Sequence, residues 1–282
     1  MQAETSATWA VARGLPASRR VVVFHDDDGV RLHRLASDAP SLSRKLLTSV
    51  SAAKYERWQQ RVLREADEAW FASSIDRDRL VASPQVVETR VVPNGAHDGL
   101  WSVSQPAEGS SSVVLFVGPA AYEANRSGLS WFMDRVFPLV REKRRSVELR
   151  VIGEGWGGTR ASSGITFRGF EPVLEHAYEE ASVVVAPLLS GGGTKIKVIE
   201  GMAAGRPVVS TTIGAEGIPP SPGLKVSDDA GVFAKSVADF LSDPQAARSA
   251  GLENRKAVDG LRWSKIWEDA AEHLRAQVGA SR

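Results

Sequence analysis

Short apolar runs and longer segments of mixed polarity alternate along most of this chain. Val21-Val22-Val23-Phe24 is the first run, β-branched and unbroken, and it ends in His25-Asp26-Asp27-Asp28-Gly29. Strands buried on both faces of a parallel sheet read this way, and their C-terminal ends face ligand crevices. From about Ser41 to Ala66 the spacing turns helical. Leu42, Leu46, Leu47, Val50, Ala53 and Tyr55 form an apolar stripe, which Trp58, Val62 and Leu63 extend. Ala69-Trp70-Phe71-Ala72 predicts a second strand. Ser74 heads a short helix with Asp76 and Asp78 in its first turn, and Arg90–Gly95 predicts a third strand closing in a turn. Residues 1–20 carry no such period and read as a lead-in.

Residues 97–112, HDGLWSVSQPAEGSSS, are polar and Ser-rich with Pro and Gly, as linkers are. Beyond them the alternation sharpens. Strands are expected at Val113–Val117, Val147–Ile152, Ile165–Phe167, Val183–Ala186 and Pro207–Ser210. Helices are expected at about Gly128–Glu142, Pro172–Ala181 and Thr194–Ala204, with two or three more between Ala230 and Val278. Strands alternating with helices of this length argue for βαβ units on a parallel sheet. The division expected is a lead-in at 1–20, a partial N-terminal domain at 21–98, a linker at 99–112 and a C-terminal domain at 113–282. The N-terminal part is called partial because it offers about three strands, where a doubly wound domain uses about five or six.

Composition narrows the chemistry. At 282 residues, two domains are the prior. Lys and Arg total 35 against 34 for Asp and Glu, so no global field favours nucleic acid or an anionic membrane, and anion binding must be local. There is no cysteine, which excludes disulfides, thiolate zinc and a Cys nucleophile. The first 20 residues have no apolar core of a signal peptide, and no run of about 18 apolar residues exists. A soluble cytoplasmic protein is the expectation.

The strongest local signal is Pro187-Leu188-Leu189-Ser190-Gly191-Gly192-Gly193-Thr194-Lys195-Ile196-Lys197, with Glu200 following. An apolar strand runs into three glycines, and Thr194 is placed to cap the next helix. Glycines let backbone N–H groups approach a phosphate, and the helix N-terminus adds partial positive charge. Lys195 and Lys197 add full charges, and Glu200 is placed to accept from ribose hydroxyls. The plainer alternative is an ordinary loop and amphipathic helix with Glu200 in a surface ion pair. The Walker spacing is absent.

Three weaker signals point to the same sheet edge. Gly118 ends the strand Phe116-Val117, with Tyr122 and Asn125 after it. Phe167-Arg168-Gly169-Phe170 joins a strand to a helix start, where backbone groups reach a base and Phe170 packs beside it; a simple turn with Pro172 at the first helical position explains this nearly as well. His25 is a candidate general base or acceptor ligand, and Asp26, Asp27 and Asp28 form either a metal-binding run or a solvated acidic turn. His33, His97, His176 and His273 lack partners at metal-ligand spacing. No G-x-S-x-G occurs, and no G-x-G-x-x-G follows an early strand, which disfavours an α/β-hydrolase and a dehydrogenase.

Taken in order, these pieces resemble a family 4 glycosyltransferase of the GT-B fold, in the group with a Gly-Gly-Gly-Thr loop. The likeness runs from about Val21 to Trp267. It rests on His25-Asp26, Val92-Pro93-Asn94-Gly95, Phe116-Val117-Gly118, Val151-Ile152-Gly153-Glu154-Gly155 and Phe167-Arg168-Gly169. The most specific stretch is Ala186 through Lys197 and then Glu200-Gly201-Met202-Ala203-Ala204-Gly205-Arg206-Pro207, followed by Gly214-Ala215-Glu216-Gly217. The resemblance implies two Rossmann-like domains, the N-terminal one incomplete. It implies retaining, metal-independent sugar transfer from a UDP- or GDP-type donor to a glycan, lipid-linked or small-molecule hydroxyl, with no other cofactor and with a role in polysaccharide assembly. His25 and Lys197 would be catalytic. Gly118, Gly169, Phe170, Gly192, Gly193, Thr194, Lys195, Lys197 and Glu200 would hold the donor.

Two departures stand out. Many such enzymes carry Glu-x7-Glu, and here Gly192 stands at the first position. The front of the N-terminal domain is also missing, so a homodimer or second chain completing it, and a peripheral membrane contact, are further partner expectations. The rival classes are a non-catalytic nucleotide-sugar-binding subunit and a metal-dependent GT-A transferase using the Asp run.

Overall fold

The computed structural model describes residues 1–25, 27–37, 41–81, 87–106, 112–157, 163–191 and 195–280. Contacts divide the chain into two units, one formed mainly by Met1–Asn94, the other by Gly95–Leu189 and Lys195–Arg282. Each is built on its own parallel sheet.

The first unit runs β1 (Gln2–Ala3), α1 (Trp9–Ala12), β2 (Val21–Phe24), α2 (Asp28–Ser37), α3 (Leu42–Glu65), β3 (Glu68–Phe71), α4 (Ser74–Leu80) and β4 (Glu88–Val91). The sheet order is β1-β2-β3-β4, parallel throughout. Val22, Phe24, Ala69 and Phe71 pack with Trp9, Val62, Leu63 and Leu80, and the rings of Phe24 and Phe71 stack at 5.1 Å.

The lead-in expectation is corrected here. The Met1 carbonyl accepts from the Val21 amide at 2.9 Å, and β1 pairs with β2 as a further parallel strand. Trp9 is fully buried, and its indole N–H donates to the Glu65 carboxylate at 3.1 Å. A two-residue strand and a one-turn helix are too short to show a period. The stripe on α3 also divides: Val62 and Leu63 are buried, whereas Leu42, Leu46, Leu47 and Val50 are exposed.

The second unit opens with a 3₁₀ turn at Asp98–Ser102. It continues through β5 (Val113–Val117), α5 (Glu123–Trp131), a π turn (Phe132–Val136), α6 (Phe137–Lys143), β6 (Glu148–Ile152), β7 (Ile165–Gly169), α7 (Leu174–Glu180), β8 (Val183–Ala186), α8 (Ile196–Ala203), β9 (Val208–Ser210), β10 (Leu224–Val226), α9 (Ala230–Ser242), α10 (Pro244–Ala257) and α11 (Trp263–Ala280). Its sheet order is β10-β9-β8-β5-β6-β7, all parallel. β5, β6, β8 and β9 are buried on both faces, which is why they read as continuous apolar runs.

One helix was expected across 128–142. Pro138 has no N–H to donate and crowds the preceding turn, and the ladder widens into the π turn just before it. The linker is also corrected. Leu100, Trp101 and Val103 are buried in the second unit's core, and the Arg262 guanidinium lies 4.5 Å over the Trp101 ring. Three apolar side chains among polar ones were enough to tie this stretch down. Residues 107–111 lie outside the described residues. Gly95 sits where a Cβ would fall 2.7 Å from the Leu261 carbonyl oxygen, so its role is close backbone approach.

Trp9 provides a check. Trp9→Ala should lower the unfolding free energy by about 3–5 kcal/mol, the range for emptying a large core site. A urea midpoint within error of the parent would show that α1 is peripheral to the core.

Candidate functional site

In the second unit the chain moves outward from β5 to β6 and β7, then returns to place β8 on the other side of β5. The connections diverge at that point, so a crevice opens beyond the C-terminal ends of β5 and β8. The sequence places Gly118 at the end of one strand and the glycine-rich stretch after the other.

Gly118 has φ of +154°, and a Cβ there would lie 2.6 Å from the Asn125 amide nitrogen and 2.8 Å from Lys197 Nζ. Only glycine fits. Its amide donates to the Ile152 carbonyl at 2.8 Å, and its carbonyl accepts from the Trp156 indole at 2.9 Å. Gly153, at φ +142°, lies where a Cβ would sit 2.2 Å from that same carbonyl oxygen. The turns after β5 and β6 are therefore locked together. Gly128 lets α5 approach the backbone after β8, where a Cβ would stand 2.4 Å from the Pro187 oxygen.

Lys197, in the first turn of α8, reaches back into this corner. Its Nζ donates to Asn125 Oδ1 at 2.5 Å and sits 4.6 Å from the centroid of the Phe116 ring. Asn125 is held in turn, its amide donating to the Pro119 carbonyl at 2.8 Å. Burial pushes the Lys197 ammonium down to about 7, against the pull of Glu200. A cation stored here gains strongly from an arriving anion.

One turn further on, Glu200 Oε2 accepts from the Tyr178 hydroxyl at 2.9 Å. Burial pushes the Glu200 carboxyl up, opposed by the Tyr178 bond and by Lys197. Burial, with Glu200 next, pushes the Tyr178 phenol well above its ordinary range, so it stays a donor. Tyr178 is fully buried. Its carbonyl accepts from Arg206 Nε at 2.7 Å, and the Arg206 guanidinium also bonds the Ser104 carbonyl. Burial lowers the Arg206 guanidinium to about 10, still charged at neutral pH.

The structure thus brings together Gly118, Lys197 and Glu200, and it adds Asn125 and Tyr178. Tyr178 was not singled out in the sequence; the available signal was one hydroxyl-bearing aromatic on a face with Ala177 and Ala181. Gly169 ends β7 with φ of +69°, and its carbonyl accepts from Gly153 at 2.7 Å. Phe170 beside it is 69% exposed, so its ring is open to a ligand. Val173 rather than Pro172 precedes the first residue of α7, so Pro172 is not its first helical residue. Lys195 is buried and occupies the N-cap position of α8, without a side-chain cap. Gly192, Gly193 and Thr194 lie outside the described residues.

His25 belongs to the first unit, just past β2, half-exposed and with Nε2 3.5 Å from Glu4 Oε2. Asp27 is taken up locally, its Oδ1 accepting from the Val30 amide at the start of α2. Asp26 lies outside the described residues. Of the Asp run, Asp27 thus serves as a local helix cap, and the side chain of Asp28 also lies outside the described residues. His97 forms a surface pair with Glu175 at 2.9 Å.

Residues 111–243 match a family model described as Glycosyl transferases group 1. A Klebsiella pneumoniae protein, named as an uncharacterized 44.6 kDa protein in the cps region, is 30% identical over 142 residues, which is 45% of this chain and 36% of that protein. This chain therefore spans about a third of that curated relative. Sucrose-phosphate synthase from Thermosynechococcus elongatus superposes with TM-score 0.74 at 18% identity, over 99% of this chain and 73% of that one. A TarM variant from S. aureus in complex with Fondaparinux, alpha-GlcNAc-glycerol and UDP gives TM-score 0.70 at 14% identity, over 95% and 53%. Anabaena Alr3699/HepE in complex with UDP-glucose gives 0.64 at 14%, over 96% and 75%. These likenesses establish a fold of the GT-B kind with two parallel α/β units. No helix of the described residues is long and apolar enough to cross a membrane.

The buried lysine gives a pH prediction. The folded chain holds Lys197 at about 7, below its ordinary 10.5. Between those values the unfolded chain binds more protons, so this group makes stability rise with pH there, by at most about 1.4 kcal/mol per pH unit. Lys197→Met should flatten that part of the urea-stability profile. A variant profile as steep as the parent's would mean that Lys197 titrates ordinarily.

Proposed function

We propose that this chain is a glycosyltransferase that holds a nucleotide-sugar donor in the crevice beyond β5 and β8. The observation that carries the reading is the corner formed by Gly118, Lys197 and the Tyr178-bound Glu200. There, one anion-attracting cation, seated against the bare Cα of Gly118, and one anchored carboxylate meet at the switch point of a parallel sheet. The match of residues 111–243 to the group 1 model supports it, as do the UDP and UDP-glucose named for structures of the same fold.

In this reading the donor diphosphate lies against Gly118 and Lys197, with Lys195 and the stretch Gly192, Gly193 and Thr194 adding backbone donors and charge. The Glu200 carboxylate accepts from the ribose hydroxyls, and Tyr178 keeps it from swinging away. Gly169 and Phe170 face the base. The bond between the anomeric carbon and the diphosphate oxygen breaks as the acceptor hydroxyl attacks, and the hydroxyl proton passes to the leaving diphosphate. The leaving diphosphate gathers negative charge, and Lys197 stabilises that charge more in the transition state than before it. We further propose that transfer retains anomeric configuration and needs no metal, with His25 beside the reacting sugar and a glycan, lipid-linked or small-molecule hydroxyl as acceptor. A role in polysaccharide assembly, and a cytoplasmic location, belong to the same proposal.

The test is calorimetric titration with UDP, GDP and ADP, with and without EDTA, followed by product analysis on the matching nucleotide sugar. One nucleotide should bind without metal, and sugar transfer or slow donor hydrolysis should follow. Binding without turnover would leave a donor-binding subunit, and binding of none would remove the donor site.

Two refinements have definite signs. Tyr178→Phe should reduce the preference for a ribonucleotide over its 2′-deoxy counterpart, because the unanchored Glu200 loses its fixed position. An equal loss for both nucleotides would assign Tyr178 to packing alone. Nucleotide-sugar affinity should fall above pH 7, approaching tenfold per unit while the free lysine is neutral, with proton uptake on binding. A flat profile from pH 6.5 to 8.5 would contradict Lys197 as the diphosphate cation.

A further inference from the structure

Leu42, Leu46, Leu47 and Val50 on α3 are 87%, 68%, 69% and 45% exposed. None of residues 42–51 is buried, and burial along the helix begins at Ala52. α2 packs further along: a Cβ on Gly29 would meet Glu56, and His33 Nε2 lies 2.9 Å from Glu56 Oε1. Within the chain, the opening turns of α3 thus present four large apolar side chains to water. A single exposed leucine needs no explanation, whereas a contiguous patch does.

The patch has a shape and a charge. At about 100° per residue, Leu42, Leu46 and Val50 fall within about 80° of one another, and Leu47 lies about 60° beyond. Residues 42–55 carry Arg44, Lys45 and Lys54, all exposed, and no Asp or Glu. Glu56, which pairs with His33, and then Arg57, exposed and on the same stripe, follow. An apolar strip edged by cations is the composition of helices that lie in a membrane interface, side chains in the acyl boundary and cations on anionic headgroups.

We propose that the first turns of α3 dock this chain onto an anionic lipid surface, the helix lying in the headgroup plane. A second copy of the chain fits the patch less well. The stripe covers fewer than the three or four heptads that sustain a coiled coil. Pairing across it, parallel or antiparallel, would set Arg44, Lys45 and Lys54 against one another with no acid from residues 42–55 opposite. The helix is not a membrane span, since cations interrupt it in every stretch of about 18 residues.

The test is vesicle co-sedimentation of the full chain. One set of vesicles is phosphatidylcholine alone, the other phosphatidylcholine and phosphatidylglycerol in equal parts. Binding to the anionic set should exceed binding to the neutral set by about tenfold or more and weaken with added salt. The double variant Leu46→Gln/Leu47→Gln should lose most of it. Lys45→Glu should weaken it several-fold with the apolar strip intact. All three side chains are exposed, so the variants should keep the parent's melting temperature, checked by circular dichroism. No binding to anionic vesicles would overturn the proposal, as would variants that bind like the parent. Sedimentation showing a dimer that the double variant breaks would overturn it in favour of a second copy.

Discussion

The second unit depends on where β5 lies. It is hydrogen-bonded on one side to β6 and on the other to β8, and the connections leave it in opposite directions. A parallel sheet with that order must leave its strand ends uncovered at the divergence. Five consecutive apolar residues, Val113–Val117, hold β5 in the centre, and the chain then needs a residue that turns sharply without a side chain. Gly118 supplies it. Its carbonyl fixes Trp156, its amide continues the pairing to β6, and its bare Cα leaves room for Lys197 and Asn125.

Around that corner the charge balance is set by burial rather than by counting residues. A lysine that loses water without gaining a full counterion is destabilised as a cation, which is why Lys197 falls to about 7. Asn125 and the Phe116 ring offset part of that cost with a hydrogen bond and a π face. Glu200 is pushed the other way, and Tyr178 donates the bond that keeps its carboxylate in place. A site that stores a poorly compensated cation next to an anchored carboxylate is tense when empty and relaxes when an anion enters. That is the physical content of donor binding proposed for it.

The first unit is organised around its two aromatic strand residues. The stacked Phe24 and Phe71 tie β2 to β3, and Trp9 packs with the second half of α3 over that face of the sheet. It is the second half of α3 that supplies Val62 and Leu63 to this core. Its opening turns, residues 42–51, contain no buried residue, which leaves their leucines to be explained by something outside the chain.

The sequence by itself determined the buried strands and the two catalytically suggestive stretches. Runs such as Val113–Val117 and Val183–Ala186 have no polar position to offer solvent, so burial on both faces follows from their composition. The strand-to-glycine junctions at Gly118 and Gly191 are local, and local chemistry is written in adjacent residues. What tertiary structure decided is what local chemistry cannot carry. β1 and β10 are two and three residues long and become strands only because a neighbour is there to pair with. Leu100, Trp101 and Val103 turned an expected linker into core, because three side chains found a cavity. The stripe on α3 shows period but not partner, since an apolar helix face looks the same whether or not anything covers it. Asn125 meets Lys197 across 72 residues and Tyr178 meets Glu200 across 22. Those meetings exist because three helices, α5, α7 and α8, come together at one place, and a place in space has no spacing along the chain.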